Sequence, residues 1–188
     1  MRVSRNECVL LVVDVQDRLI GTIAEHEAVV ENIRALIRTF QVLNVSVLAT
    51  EQEKLGEIVP ELRGLLSDSP KFRKLSFSCC GDSAFVRKLR QVRKKTVIVC
   101  GIETHICVLQ TVLDLLKRRY HVLLVRDATS SHAPIDRDTA VERMRSAGAV
   151  VGTTEAVIYE LTGEAGTEQF RKILEIVKER RGMSSSRQ

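Results

Sequence analysis

The sequence predicts an α/β fold of three layers, α/β/α, around a mostly parallel sheet. Three observations lead there. Apolar, β-branched runs such as residues 8–15 (CVLLVVDV) and 96–100 (TVIVC) show no alternation, as strands buried on both faces should. Amphipathic stretches separate these runs. The chain has 188 residues, 44% of them hydrophobic, with 10 Gly and 3 Pro, which suits one compact domain and excludes disordered or collagen-like chains.

In order, residues 8–15 read as the first strand. Residues 25–43 place Val29, Ile33, Leu36 and Phe40 on one helical face. Residues 45–50 (VSVLAT) are a second strand. A looser stretch, 51–70, contains Gly56, Pro60 and Pro70. Residues 71–77 form a short strand or extended loop. Asp82 is a helix N-cap preceding Phe85, Leu89 and Val92. Residues 96–100 are a buried strand, 107–119 a helix, and 121–125 (HVLLV) another strand. Residues 136–147 form a helix with Val141 and Met144 inward, stopped by Gly148. A last strand at 149–153 is followed by helices at 155–161 and 168–180. One domain therefore spans 1–181, with a small polar tail at 182–188.

Charge and cysteines exclude further classes. Lys and Arg total 29 against 24 Asp and Glu, a net charge of +5, too mild to indicate nucleic acid by itself. The five cysteines show no CxxC pair, which disfavours a disulfide framework or a zinc ribbon. The longest apolar run, six residues, is too short for a membrane span, and no signal-peptide pattern opens the chain. The expected compartment is the cytoplasm, with no membrane partner.

In open α/β sheets, ligands bind beyond the carboxyl ends of the strands. That filter selects Asp14 and Gln16 after the first strand, and Thr50, Glu51 and Gln52 after the second. It also selects Lys74, Phe77 and Ser78, the 101–107 segment, and Asp127, Ser130, Ser131 and His132. Cys107 falls at the start of a helix, where the dipole and free amides should lower its thiol pKa and could hold an oxyanion. The competing reading is a buried cysteine packing as a small hydrophobe. Cys8 and Cys100 read as core. Cys79 and Cys80 lie in a loop without an assigned role. His105 invites a Cys–His pairing, but at two residues before Cys107 it points to another side of the turn. His132 reads as a loop histidine.

Five segments together resemble the isochorismatase-like cysteine hydrolases: LLVVDVQDRL (10–19), KLSFS (74–78), VIVCGIETHICV (97–108), VRDATSS (125–131) and RMRSAGAVVGTTEAVIYEL (143–161). The resemblance implies a Rossmann-like hydrolase fold and a triad of Asp14, Lys74 and Cys107. Cys107 would attack a carbonyl carbon, Asp14 would act as general base, and Lys74 would hold Asp14 and favour thiolate. It also implies a cis peptide at Ile102–Glu103, turning the Glu103 amide into an oxyanion hole. Gln16, Gln52, Phe77 and Thr104 would contact a small-molecule substrate. Nicotinamidases of this superfamily carry a D-x-H metal site after the second strand. Residues 50–53 here are Thr-Glu-Gln-Glu without a histidine, so neither metal nor cofactor is expected, and nicotinamidase is disfavoured. The segment resembles instead a metal-free subgroup of unassigned substrate, which includes YcaC-type and isochorismatase-domain-containing proteins. The expected activity is hydrolysis of a small amide, carbamoyl or ester-like carbonyl. Self-association into a homo-oligomer is implied.

Two alternatives stay open. Arg87, Lys88, Arg90, Arg93, Lys94 and Lys95 form a basic run that could serve a nucleic-acid-binding protein or nuclease. Against it, Phe85, Leu89 and Val92 bury the opposite face of that helix, and aromatics for base stacking are few. The other alternative is a non-catalytic oligomeric scaffold of the same fold.

Overall fold

The computed structural model describes residues 2–182. Six strands form the sheet: β1 (Cys8–Val13), β2 (Val47–Gln52), β3 (Lys71–Lys74), β4 (Thr96–Ile102), β5 (His121–Ser130) and β6 (Val150–Gly152). Their order is β3-β2-β1-β4-β5-β6, and every pair is parallel. Among the described residues the one antiparallel contact is an isolated bridge between Gln16 and Ile58. All residues of β1 and β4, the central strands, are buried, which explains their unbroken apolar sequences. The strand order reverses between β1 and β4, so their carboxyl ends define the crevice.

Alternate β1 residues feed two cores. Cys8, Leu10 and Val12 join one with Phe40, Val157 and Ile173, while Val9, Leu11 and Val13 join the other with Phe85, Val112 and Met144. The first core lies under α2 (His26–Val42), α7 (Thr154–Thr162) and α8 (Glu168–Arg180). The second lies under α4 (Ser83–Val92), α5 (Leu109–Lys117) and α6 (Pro134–Ser146). Asp82 caps α4 as expected, its Oδ1 accepting from the Phe85 amide at 2.6 Å. Helix α8 packs on its own domain through Ile173, Ile176 and Val177.

Several boundaries differ from expectation. Two four-residue helices, α1 (Asp17–Ile20) and α3 (Pro60–Arg63), carry too little periodicity to read. The helix expected at 107–119 begins earlier, as a π-helical turn at Thr104–Val108 that runs into α5. Strand β5 continues past Val125 because its register against β4 shifts: Val99 pairs with Leu124, yet Gly101 pairs with Thr129. The shift frees Asp127 to meet Thr154 (N and Oγ1, 2.7 and 2.9 Å), Arg180 (3.2 Å) and, through its carbonyl, Asn32. Asp127 thus clamps helices; it is not a residue of the crevice. Among the described residues no helix is long and apolar enough to cross a membrane. Of the tail expected at 182–188, only Gly182 lies within the described residues.

Candidate active site

The crevice is built from strand ends. Asp14 follows β1 with φ +49, a left-handed conformation that Asp tolerates better than most residues. Its amide donates to the Thr50 carbonyl (3.2 Å), which ties it to β2. Its Oδ1 accepts from the Thr50 hydroxyl at 2.7 Å, and its Oδ2 accepts from Lys74 Nζ at 2.6 Å. Lys74, the last residue of β3, has three further acceptors: Gln52 Oε1 (2.8 Å), the Phe77 carbonyl (2.9 Å) and the Ser76 carbonyl (3.2 Å). All four partners accept, which matches an ammonium. Asp14 is 0% exposed and Lys74 2%, so this is a buried ion pair whose remaining donors are satisfied.

Cys107 sits in the π-helical turn beyond β4, 5% exposed, with the Asp14 carboxylate against its thiol. Gly101 lets β4 approach β1 there. Its φ is +118, and a Cβ would stand 2.1 Å from the Val13 carbonyl oxygen. The Ile102–Glu103 peptide is cis.

The thiol is not acidified, contrary to the expectation from its helix-start position. Burial pushes the Cys107 pKa up, and the Asp14 charge pushes it further; Lys74 opposes both only in part. The same burial raises Cys8 and Cys80 to about 11 and Cys79 to about 12.

The residues expected to contact substrate divide differently. Gln16 is fully buried, and its amide is used up on backbone: Nε2 donates to the carbonyls of Gln52 (3.0 Å) and Gly56 (2.8 Å), and Oε1 accepts from the Gln52 amide (2.8 Å). It braces the loop after β2. Gln52 anchors Lys74 and donates to the Leu75 carbonyl (2.8 Å). Thr104 is fully buried, its hydroxyl 2.8 Å from that of Thr129, which itself donates to the Gly101 carbonyl. It steadies the turn before Cys107. Phe77 offers Lys74 its carbonyl, while the residue itself is 53% exposed at the rim.

The other candidates are also accounted for. His105 bonds to Ser131 Oγ through Nδ1 (2.9 Å) and faces Asp136. The His132 amide donates to Glu103 (2.9 Å), and its ring meets the Thr22 carbonyl (2.8 Å), joining two rim loops. Glu51 bonds the Ile58 amide and Arg73. Among the described residues no group of three or more His, Cys, Asp or Glu is placed to hold a metal ion. Sequence reasoning missed Cys79. It is fully buried in a 3-10 turn (Cys79–Gly81), its amide on Thr111 Oγ1 (2.9 Å) and its Sγ 3.6 Å from the Thr50 hydroxyl. The adjacent thiols between a strand and a helix N-cap were the available signal.

Known proteins bear on this arrangement. The isochorismatase domain model matches residues 8–156. A secreted isochorismatase effector of Phytophthora sojae is 36% identical over 184 residues, covering 95% of this chain and 88% of that protein. Human isochorismatase domain-containing protein 2 is 35% identical over 182 residues, with 95% and 86% covered. Among solved structures, the MAR1 ribonuclease of Caenorhabditis elegans superposes with TM-score 0.89 at 34% identity, covering 94% of this chain and 92% of that one. YcaC from Pseudomonas aeruginosa, determined with hexane-2,5-diol and covalent acrylamide, gives TM-score 0.89 at 26% identity, with 97% and 95% covered. With its all-parallel sheet and a match that runs through β1, β4 and the crevice between them, the chain belongs to the isochorismatase family, a membership that supports hydrolase activity in general.

Proposed function

We propose that the chain is a cysteine hydrolase acting on a small amide, carbamoyl or ester-like carbonyl compound, with Cys107, Asp14 and Lys74 as its catalytic set. The carrying observation is the buried Lys74–Asp14 pair at 2.6 Å against a thiol that burial keeps protonated. Such a thiol needs an internal base, and Asp14 is the carboxylate beside it. In the proposed reaction the Cys107 proton moves to Asp14 and the sulfur adds to the carbonyl carbon. The oxyanion is received by the amides of Glu103 and Cys107. Asp14 returns its proton to the leaving nitrogen or oxygen, and a thioester forms. Water then attacks, giving its proton to Asp14, and the Cys107 thiol is restored as the acid leaves. No step is assigned to a metal or cofactor. The covalent acrylamide held by the Pseudomonas aeruginosa relative is in keeping with a reactive group in that protein.

Residues 1–181 form the catalytic domain in this reading. Exposed Leu75, Phe77 and Ile135 at the carboxyl end of the sheet support a homo-oligomer, and five free, buried thiols support a reducing compartment. One relative is named a ribonuclease. The basic run of this chain lies along α4 and the turn that leads to the amino end of β4, away from the crevice at the strands' carboxyl ends, so a nuclease is the weaker reading.

The test is a panel of small amides, N-carbamoyl compounds and activated esters, followed by product release and intact mass. A covalent adduct is expected in the wild type and absent in Cys107→Ala. Hydrolysis should fall at least about a hundredfold in Asp14→Asn, as for loss of a general base. An adduct persisting in Cys107→Ala, or full hydrolysis in Asp14→Asn, overturns the assignment.

A further inference from the structure

We propose that Thr50 and Cys79 form a two-state hydrogen-bond relay that holds Asp14 in both its charged and its protonated form, making Thr50 a positioning residue for proton transfer from Cys107. The inference rests on the function proposed above.

Hydrogen-bond direction can be worked out from donor counts. An ionised carboxylate only accepts, so across the 2.7 Å contact Thr50 must donate its single hydroxyl proton to Asp14 Oδ1. Thr50 then has only lone pairs to offer Cys79, so across 3.6 Å the Cys79 thiol must be the donor. The resting chain therefore runs Cys79 S–H to Thr50 O–H to Asp14. It requires a neutral thiol at Cys79, and a fully buried site with the Asp14 charge nearby keeps it so.

When Asp14 takes the Cys107 proton, the pattern must change. Oδ2 faces the Lys74 ammonium at 2.6 Å, a poor place for an added proton. Oδ1 faces a neutral hydroxyl that can reverse. With the proton on Oδ1, Asp14 donates to Thr50 Oγ1, Thr50 turns its own hydrogen to Cys79 Sγ, and the Cys79 S–H turns away. Thr111 Oγ1, already 2.9 Å from the Cys79 amide and beside its thiol, is the acceptor at hand. Nothing is oxidised and no proton leaves the cluster: one proton moves from sulfur to carboxylate, and two hydrogens rotate. Thr50 and Cys79 are both fully buried, so no water competes for either role.

The test compares Thr50→Val, which keeps the shape but loses the hydroxyl, with Thr50→Ser, which restores it. The probe is p-nitrophenyl acetate, with folding checked by circular dichroism. Thr50→Val should lower kcat by roughly tenfold to a hundredfold with KM within about twofold, the scale of one hydrogen bond to a charged group. Thr50→Ser should recover to within about threefold of wild type. Equal rates for Thr50→Val and wild type would overturn the relay, and so would a Thr50→Ser as slow as Thr50→Val. Should Thr50→Val not fold, Cys79→Ala and Cys79→Ser decide: the serine should outperform the alanine, and equality overturns the relay. Cys107→Ala separates the two claims. Wild-type ester turnover in that variant sinks the proposed function itself; its loss, with Thr50→Val unaffected, sinks only the relay.

Discussion

Gly101 is the residue at which the fold and the crevice depend most directly on one missing methyl group. It pairs with Val13 across the β1/β4 contact, and Val13 immediately precedes Asp14. A Cβ at position 101 would lie 2.1, 2.6 and 2.8 Å from the O, N and C atoms of Val13. Those are backbone atoms of a central strand, so no side chain can swing aside. Gly101→Ala therefore incurs two costs. Holding φ near +118 with a side chain costs about 1–3 kcal/mol. Forcing the strands apart costs about 1–3 kcal/mol more, as over-packing does. The sum, about 2–6 kcal/mol, is a large part of a typical 5–15 kcal/mol stability. At about 2–4 °C per kcal/mol for a chain of this size, Tm should fall by roughly 4–24 °C. Calorimetry and urea unfolding measure it. Gly21→Ala is the control: nothing lies within 4 Å of its Cβ and its φ is −65, so it should change stability by less than about 0.5 kcal/mol. A Gly101→Ala melting within about 2 °C of wild type refutes the reasoning.

Two further outcomes concern the buried polar groups. Gln16→Ala removes three hydrogen bonds of 2.8–3.0 Å that brace the loop after β2, and should cost about 2–4 kcal/mol in urea unfolding; an unchanged midpoint would show that the brace is dispensable. Stability should also fall above pH 9. There the unfolded thiols release protons at their ordinary value of 9.0, while the folded ones hold theirs to about 11 at Cys8 and Cys80 and about 12 at Cys79. A folded value above the unfolded one means the stabilisation is complete below pH 9 and is lost as pH rises through the folded value. Each thiol contributes a slope of about 1.4 kcal/mol per pH unit in that window. Cys8→Ala should flatten the wild-type slope by that amount, and identical slopes contradict the linkage.

What could be read from the sequence follows the range of the interactions. Strands β1 and β4 were legible because burial on both faces leaves an unbroken apolar run. Helix α2 was legible because Val29, Ile33, Leu36 and Phe40 share a face. The end of β5 was not, since the polar stretch after Val125 is held by Asn32, Thr154 and Arg180, from three distant helices. Asp14, Lys74 and Cys107 passed the strand-end filter and are brought together. Gln16 and Thr104 passed the same filter and turned out to be committed inside the fold, Gln16 to backbone groups and Thr104 to the Thr129 hydroxyl. A buried strand-end amide or hydroxyl must be paired with something, and only the folded chain shows that the partner is Gly56 or Thr129. Cys79 reads locally as part of a turn; its meaning comes from Thr50, 29 residues earlier in the chain.

The depth of the crevice also determines how its thiol must be activated under the proposed function. Asp14 and Lys74 together carry no net charge. A thiolate formed by losing a proton to water would leave one uncompensated negative charge where Cys107 is 5% exposed. Passing that proton to Asp14 leaves the total at zero, because the Lys74 ammonium then faces a thiolate instead of a carboxylate. The raised thiol pKa and the need for Asp14 are thus one fact. It follows that Asp14 has two opposite effects on sulfur: it holds the proton on at rest and removes it during reaction. Asp14→Asn should separate them. Without the carboxylate the resting thiol is more acidic, with Lys74 as its partner, so alkylation of Cys107 by iodoacetamide near pH 7.5 should speed up by at least about threefold, while hydrolysis falls by at least about a hundredfold. Peptide mapping with intact mass follows the first and product release the second. If both rates fall together, Asp14 acts only by supporting the fold, and the charge argument fails.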